Sequence, residues 1–208
     1  MAPIQEGNQS AESDFGELSR AAKSAEKVHL LGVSWGGKWA LALAARYPER
    51  VASLTLSTPG LYSQRTVNFG TRLAIAGCAI GWPTRQFSLP LNEPELFTDV
   101  DRWKKFIAED PLRLRSASAR FLAISQWMQH LLPRWAAAVQ CPTLLLLADR
   151  DPIVDNNRVE NLLTSHLPPG LLTVRRFPSA VHTLEFSADP AHYFQTLIEW
   201  INQKELSP

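Results

Sequence analysis

The stretch Val28-His29-Leu30-Leu31-Gly32-Val33-Ser34-Trp35-Gly36-Gly37-Lys38-Trp39-Ala40-Leu41 constrains the fold more than any other part of the chain. Val28 to Val33 is apolar apart from His29 and Gly32, which suits a parallel strand covered on both faces. Gly32-Val33-Ser34-Trp35-Gly36 then matches G-x-S-x-G, a sharp strand-to-helix turn with the serine hydroxyl at its tip. Ala40-Leu41-Ala42-Leu43-Ala44-Ala45-Arg46 is strongly helix-forming. The N-terminus of that helix offers free backbone N–H groups and a positive dipole, useful where an oxyanion develops. A serine that only caps the helix is the rival explanation. Gly36 and Gly37 weigh against it, since a glycine in a first helical turn costs roughly 1 kcal/mol unless close packing demands it.

The rest of the chain reads as an alternation of strands and helices with one interruption. Ser13-Asp14 is positioned to cap a helix running to about Ala25, with Phe15, Leu18, Ala21 and Ala22 on one face. Val51 to Ser57 is a second strand, closed by Pro59-Gly60. Two strands joined by a helix make a parallel unit with a right-handed crossover. Residues from about Leu61 to Ala138 break this rhythm. Apolar helical pieces (Thr71 to Ile80, Asp99 to Ala108, Ala117 to Leu132) alternate there with links containing Pro83, Pro90, Pro94, Pro111 and Pro133. Residues 61–138 therefore read as an inserted helical cap, and 1–60 with 139–208 as the core. Trp82, Trp103, Trp127 and Trp135 lie in or beside the cap, either lining an apolar pocket or forming the cap's own core. Cys141 to Ala148 is the third strand, Asn156 to His166 a helix, Leu172 to Phe177 the fourth strand and Asp189 to Gln203 the closing helix.

Composition excludes several classes. At 208 residues, 45% hydrophobic and 20% charged, the chain is long and apolar enough for one ordered domain. A net charge of +1 without a basic stripe argues against a nucleic-acid partner. No apolar run approaches the ~20 residues of a membrane helix. The polar, acidic N-terminus is unlike a signal peptide. Cys78 and Cys141 form no metal or redox motif, so a reduced, cytoplasmic compartment is expected. No His/Cys/Asp/Glu cluster has metal-ligand spacing, and no cofactor is implied.

A nucleophilic serine needs a base, and the base needs a carboxylate to hold its tautomer. In open parallel sheets such groups gather at the carboxyl ends of strands. Here a carboxylate follows the third strand and a histidine the fourth, in the order Ser34, Asp151, His182. Asp149 is the rival acid, two residues away, with a turn-forming role as its alternative. His29, His130, His166 and His192 fall within predicted strands or helices and read as structural or surface residues. Glu93, Glu95, Glu109 and Asp110 read as a solvated face.

These segments resemble the α/β-hydrolase superfamily, and within it the serine hydrolases called monoacylglycerol lipase- or lysophospholipase-like. The resemblance rests on Gly32-Val33-Ser34-Trp35-Gly36-Gly37, on Leu147-Ala148-Asp149-Arg150-Asp151-Pro152-Ile153-Val154 and on Val181-His182-Thr183-Leu184-Glu185-Phe186. Phe106-Ile107-Ala108-Glu109-Asp110-Pro111-Leu112 is a softer match in the cap. The family's acid turn has the form G-x-x-D, which Ala148-Asp149-Arg150-Asp151 meets with alanine for glycine. The resemblance implies an α/β-hydrolase fold with an inserted helical cap, of which this chain carries a partial parallel sheet of about four strands. It also implies an acyl-enzyme mechanism in which Ser34 attacks, His182 shuttles the proton, Asp151 orients His182 and the Trp35 N–H supplies half of the oxyanion hole. The implied substrate is a lipid-like monoester held under the cap.

The chain departs from this pattern at its front. Only 33 residues precede Ser34, whereas the fold usually places about four strands there, on the order of 80 to 100 residues. The expectation is an N-terminally truncated hydrolase that lacks the loop donating the second oxyanion N–H. Its Val28 to Val33 strand would become an apolar edge open to self-association or a partner. Two other readings stay open: a peptidase of the same superfamily, proline iminopeptidase-like and sharing Ser-Trp-Gly at the elbow, and a catalytically impaired remnant acting as an interaction module.

Overall fold

The computed structural model describes residues 27–205. The helix expected over Ser13 to Ala25 lies outside the described residues. Four strands form one parallel sheet: β1 (Val28–Val33), β2 (Val51–Ser57), β5 (Thr143–Ala148) and β6 (Leu172–Phe177), in the spatial order β1-β2-β5-β6. All three pairings are parallel, and each sequence-expected strand is present within two residues. The helix α1 (Gly36–Arg46) joins β1 to β2, and α6 (Asn156–His166) joins β5 to β6. The last helix, α7 (Pro190–Glu205), follows β6 and closes the described chain.

Position in the sheet decides burial. Every residue of β5 is buried, and β2 is buried at all positions but Ala52. That is the outcome for continuous apolar runs covered on both faces. Leu41, Ala44, Leu54, Leu56, Leu145, Leu147 and Leu163 pack in one cluster on the α1/α6 side. Leu144, Leu146, Ala148, Phe177, Tyr193 and Trp200 form a second on the α7 side. β1 pairs only with β2 among the described residues, and Val28 and Leu31 remain 52% and 51% exposed. The expected open apolar edge is therefore seen within the described residues.

Between β2 and β5 lie α2 (Phe69–Gly81), β3 (Gln86–Ser88), α3 (Asp101–Glu109), β4 (Ser116–Ser118), α4 (Ala119–Gln129) and α5 (Leu132–Ala138). The antiparallel β3/β4 pair was not expected from the sequence, whose three-residue strands are too short to show a period. The stretch expected as one helix over Ala117 to Leu132 is divided. α4 ends at Gln129, and α5 begins anew with Pro133 in its first turn, where proline's missing N–H costs nothing. α5 packs against α1 and α6, and its Leu132 and Ala136 belong to the sheet's core cluster. α2 packs on α4 and buries no residue of its own fully. Of the four cap tryptophans, Trp82 and Trp127 are largely exposed, Trp103 stacks on Phe186 at 4.4 Å and Trp135 packs on the core. Among the described residues no helix is long and apolar enough to cross a membrane.

Candidate active site

The turn after β1 is held by its backbone. Ser34 adopts φ 48°, a left-handed conformation that a non-glycine residue takes up only at a cost. Its N–H donates to the Ser57 carbonyl at 3.0 Å, and its own carbonyl accepts from the N–H groups of Gly37 (2.9 Å) and Gly60 (2.7 Å). The turn is tight enough to exclude side chains at two glycines. A Cβ on Gly32 would meet the Ala40 Cβ at 2.6 Å, and one on Gly37 would meet the Pro59 Cβ at 2.6 Å. Close packing thus accounts for Gly37, whereas Gly36 has open space around it. The β1/β2 register, Val33 opposite Ser57, sets the serine beside Thr58, itself at φ 39° at the end of β2.

The loops after β5 and β6 meet this turn. Asp151 follows β5 and His182 follows β6, and they are 5% and 3% exposed. His182 Nδ1 lies 2.8 Å from Asp151 Oδ2, and His182 Nε2 lies 2.8 Å from Ser34 Oγ. The carboxylate can only accept, so Nδ1 carries the proton and donates, and Nε2 is left to accept from the Ser34 hydroxyl. The other carboxylate oxygen, Asp151 Oδ1, accepts from the N–H groups of Ile153 (2.8 Å) and Val154 (2.9 Å). Every hydrogen-bonding group in this chain of contacts therefore has a defined direction. Asp149 points elsewhere: its Oδ1 accepts from Arg176 Nη1 at 2.6 Å, and the same guanidinium reaches Glu160.

The remaining histidines sit apart. His29 Nδ1 bonds Ser53 Oγ at 2.7 Å, His166 Nδ1 bonds the Leu162 carbonyl at 2.9 Å, and the His192 ring lies 5.1 Å from Phe177. His130 is exposed at the C-terminal end of α4. The Trp35 N–H sits at the start of α1, and among the described residues it donates to no protein acceptor.

Three neighbours of the site were not anticipated. The Phe97 ring stands edge-on to His182 at 5.9 Å, and the Phe97 carbonyl accepts from the Thr183 N–H at 2.8 Å. Gln64 Nε2 donates to the carbonyls of Asp151 (3.1 Å) and Val154 (2.7 Å), tying the start of the cap to the acid loop. Lys38 is 3% exposed and donates to the carbonyl and hydroxyl oxygens of Ser125, both at 3.0 Å. Burial lowers its pKa from 10.5 to about 8. A signal for Lys38 existed in the sequence: it falls on the same stripe of α1 as Leu41, three residues on, where an apolar side chain is the rule. Phe97 and Gln64 left none, because both lie in loops and meet loop residues more than 80 positions away.

The family model described as serine aminopeptidase, S33, matches residues 12–189. Among solved structures, the chain is similar to a monoacylglycerol lipase of Paleococcus ferrophilus at TM-score 0.78 and 21% identity, over 94% of this chain and 74% of that one. It is similar to a soluble variant of the Saccharomyces cerevisiae monoglyceride lipase, solved with a substrate analog, at TM-score 0.77 and 16% identity, over 95% and 68%. A highly thermostable carboxyl esterase of Bacillus coagulans, solved with glycerol, aligns at TM-score 0.64 and 17% identity, over 93% and 70%. Comparison with curated proteins returned no match. At these identities the neighbours establish the α/β-hydrolase fold, and the family match does the rest: the chain belongs to the serine aminopeptidase S33 family of α/β-hydrolases.

Proposed function

We propose that this protein is a serine hydrolase that cleaves carboxylic esters through an acyl-enzyme. The observation that carries the reading is the oriented hydrogen-bond chain Asp151–His182–Ser34, with both links at 2.8 Å. Ser34 Oγ attacks the acyl carbon while His182 Nε2 takes its proton, and Asp151 stabilises the imidazolium. The tetrahedral oxyanion forms near the start of α1, within reach of the Trp35 N–H. His182 then protonates the leaving alcohol, and water, deprotonated in turn by His182, releases the acid.

A lipid-like monoester is the substrate this reading favours, on the likeness to two monoacylglycerol lipase structures. The aminopeptidase description of the family favours a second reading with the same chemistry on a peptide bond. Hydrolysis of p-nitrophenyl esters of increasing chain length, run beside an aminoacyl p-nitroanilide, separates the two. The ester reading expects turnover of the esters only, with Ser34→Ala inactive; turnover of the anilide alone would replace it with the peptidase. Within the site, Asp151→Asn should lower kcat by about 10,000-fold through the wrong histidine tautomer. Asp149→Asn, which disturbs only a surface ion pair, should leave kcat nearly unchanged.

A further inference from the structure

Among the described residues, Lys38 is the one lysine or arginine buried to this depth, and no described carboxylate lies within ion-pair distance of it. An ammonium out of water and without a counter-ion is costly, so its position calls for a reason. Both of its acceptors belong to a single residue of the cap, Ser125 in α4. The same Ser125 hydroxyl accepts from Trp35 Nε1 at 2.8 Å. Trp35 and Lys38 are three residues apart and share a face of the turn that begins α1. Phe121 and Ser125 are four apart and share a face of α4, and the Phe121 ring lies 4.6 Å from the Trp35 ring. The two faces meet as one contact: an aromatic pair tilted at 38° beside three hydrogen bonds that converge on one residue. α4 is also the element on which α2 packs and to which β4 leads, so what holds α4 holds much of the cap.

We propose that Lys38 is a positioning residue that clasps the cap helix α4 to the nucleophile turn through Ser125, fixing how the cap sits beside Ser34. The clasp rests on the hydrolase reading only where it bears on substrate; its mechanical part stands alone. Charge makes the bond strong, and burial keeps water from competing for it. Lysine does here what a leucine on the same stripe of α1 would not: it reaches past the apolar face to bond a carbonyl and a hydroxyl in a second layer.

The test is hydrogen exchange of the full chain, read by mass spectrometry on segments 119–129 and 143–148, in the wild type, Lys38→Met and Ser125→Ala. Loss of hydrogen bonds to a charged group should speed exchange of 119–129 by about 10- to 100-fold in Lys38→Met and leave 143–148 nearly unchanged. Ser125→Ala keeps the carbonyl acceptor, so the rise should be smaller and confined to the same segment. With esters, Lys38→Met should raise KM for a long-chain p-nitrophenyl ester more than it lowers kcat for the acetate. Unchanged exchange of 119–129 in Lys38→Met overturns the clasp, as does a rise shared equally by 143–148. If Lys38→Met does not fold, unchanged exchange in Ser125→Ala overturns it instead. A wild type without esterase activity that shows the expected exchange pattern refutes the hydrolase reading and leaves the clasp intact.

Discussion

Strand β5 and helix α2 are both strongly apolar in sequence, Thr143-Leu144-Leu145-Leu146-Leu147-Ala148 against Phe69-Gly70-Thr71-Arg72-Leu73-Ala74-Ile75-Ala76-Gly77-Cys78-Ala79-Ile80-Gly81. One is buried at every position, and the other buries none fully, with Leu73 58% and Ile80 89% exposed. Apolar composition does not set burial; the number of layers stacked on an element does. β5 has a strand on each side and a core cluster on each face, whereas α2 packs on α4 alone among the larger contacts. The sheet is held by long-range pairing throughout. Apart from α5, which packs in the core, the segment between β2 and β5 is held largely at separate points, among them Ser125 on α1, Gln64 on the acid loop, the Thr98 hydroxyl on the Phe186 carbonyl (2.6 Å) and the Phe97 carbonyl on Thr183 (2.8 Å).

The contrast is sharpest in core truncations. Leu145→Ala, at 0% exposure, should cost about 2–5 kcal/mol in denaturant unfolding, while Leu73→Ala in α2 should cost no more than about 0.5 kcal/mol. Comparable losses would mean that α2 belongs to the cooperative core. At the junction of the two regions, Gly37→Ala drives a methyl to within 2.6 Å of the Pro59 Cβ and should cost about 1–3 kcal/mol by overpacking. Its neighbour reverses the sign: Gly36→Ala meets nothing within 4 Å, so it should gain up to about 1 kcal/mol in melting experiments from helix propensity. The same loss at both would mean that the turn tolerates no change at all.

Lys38 supplies a pH test of the junction. Its folded pKa is lowered from 10.5 to about 8 by burial. Between those values the unfolded chain binds more protons than the folded one, so this residue's contribution to stability rises with pH across that window. The stability of the wild type relative to Lys38→Met should therefore improve from pH 8 towards 10.5 in parallel denaturant titrations. A flat difference would place the ammonium in water. The smallest expected effect is at the rim of the sheet. Arg176→Ala breaks contacts to Asp149 and Glu160 from a side chain 41% exposed and should change stability by about 1 kcal/mol or less.

What could be read from the chain followed the same division. β2 and β6 declare themselves by β-branched and apolar residues followed closely by proline-containing turns, and their observed bounds, like those of α6, match the expected ones. Ser34, Asp151 and His182 were legible because each follows a strand whose end was itself legible, and the structure brings the three together. The choice between Asp149 and Asp151 was not settled by spacing alone; in the structure it turns on which carboxylate faces His182. The β3/β4 pair and the Ser125 contact were not legible, because each depends on residues roughly 30 to 90 positions away, whereas the break between α4 and α5 is local, at His130-Leu131 just ahead of Pro133.

The most direct test of the central claim is fluorophosphonate labelling of the purified chain, with the adduct located by peptide mass spectrometry. One phosphonyl group is expected on Ser34, absent in Ser34→Ala and strongly slowed in His182→Ala. A folded wild type that takes no label, or takes it on another residue, would contradict that claim.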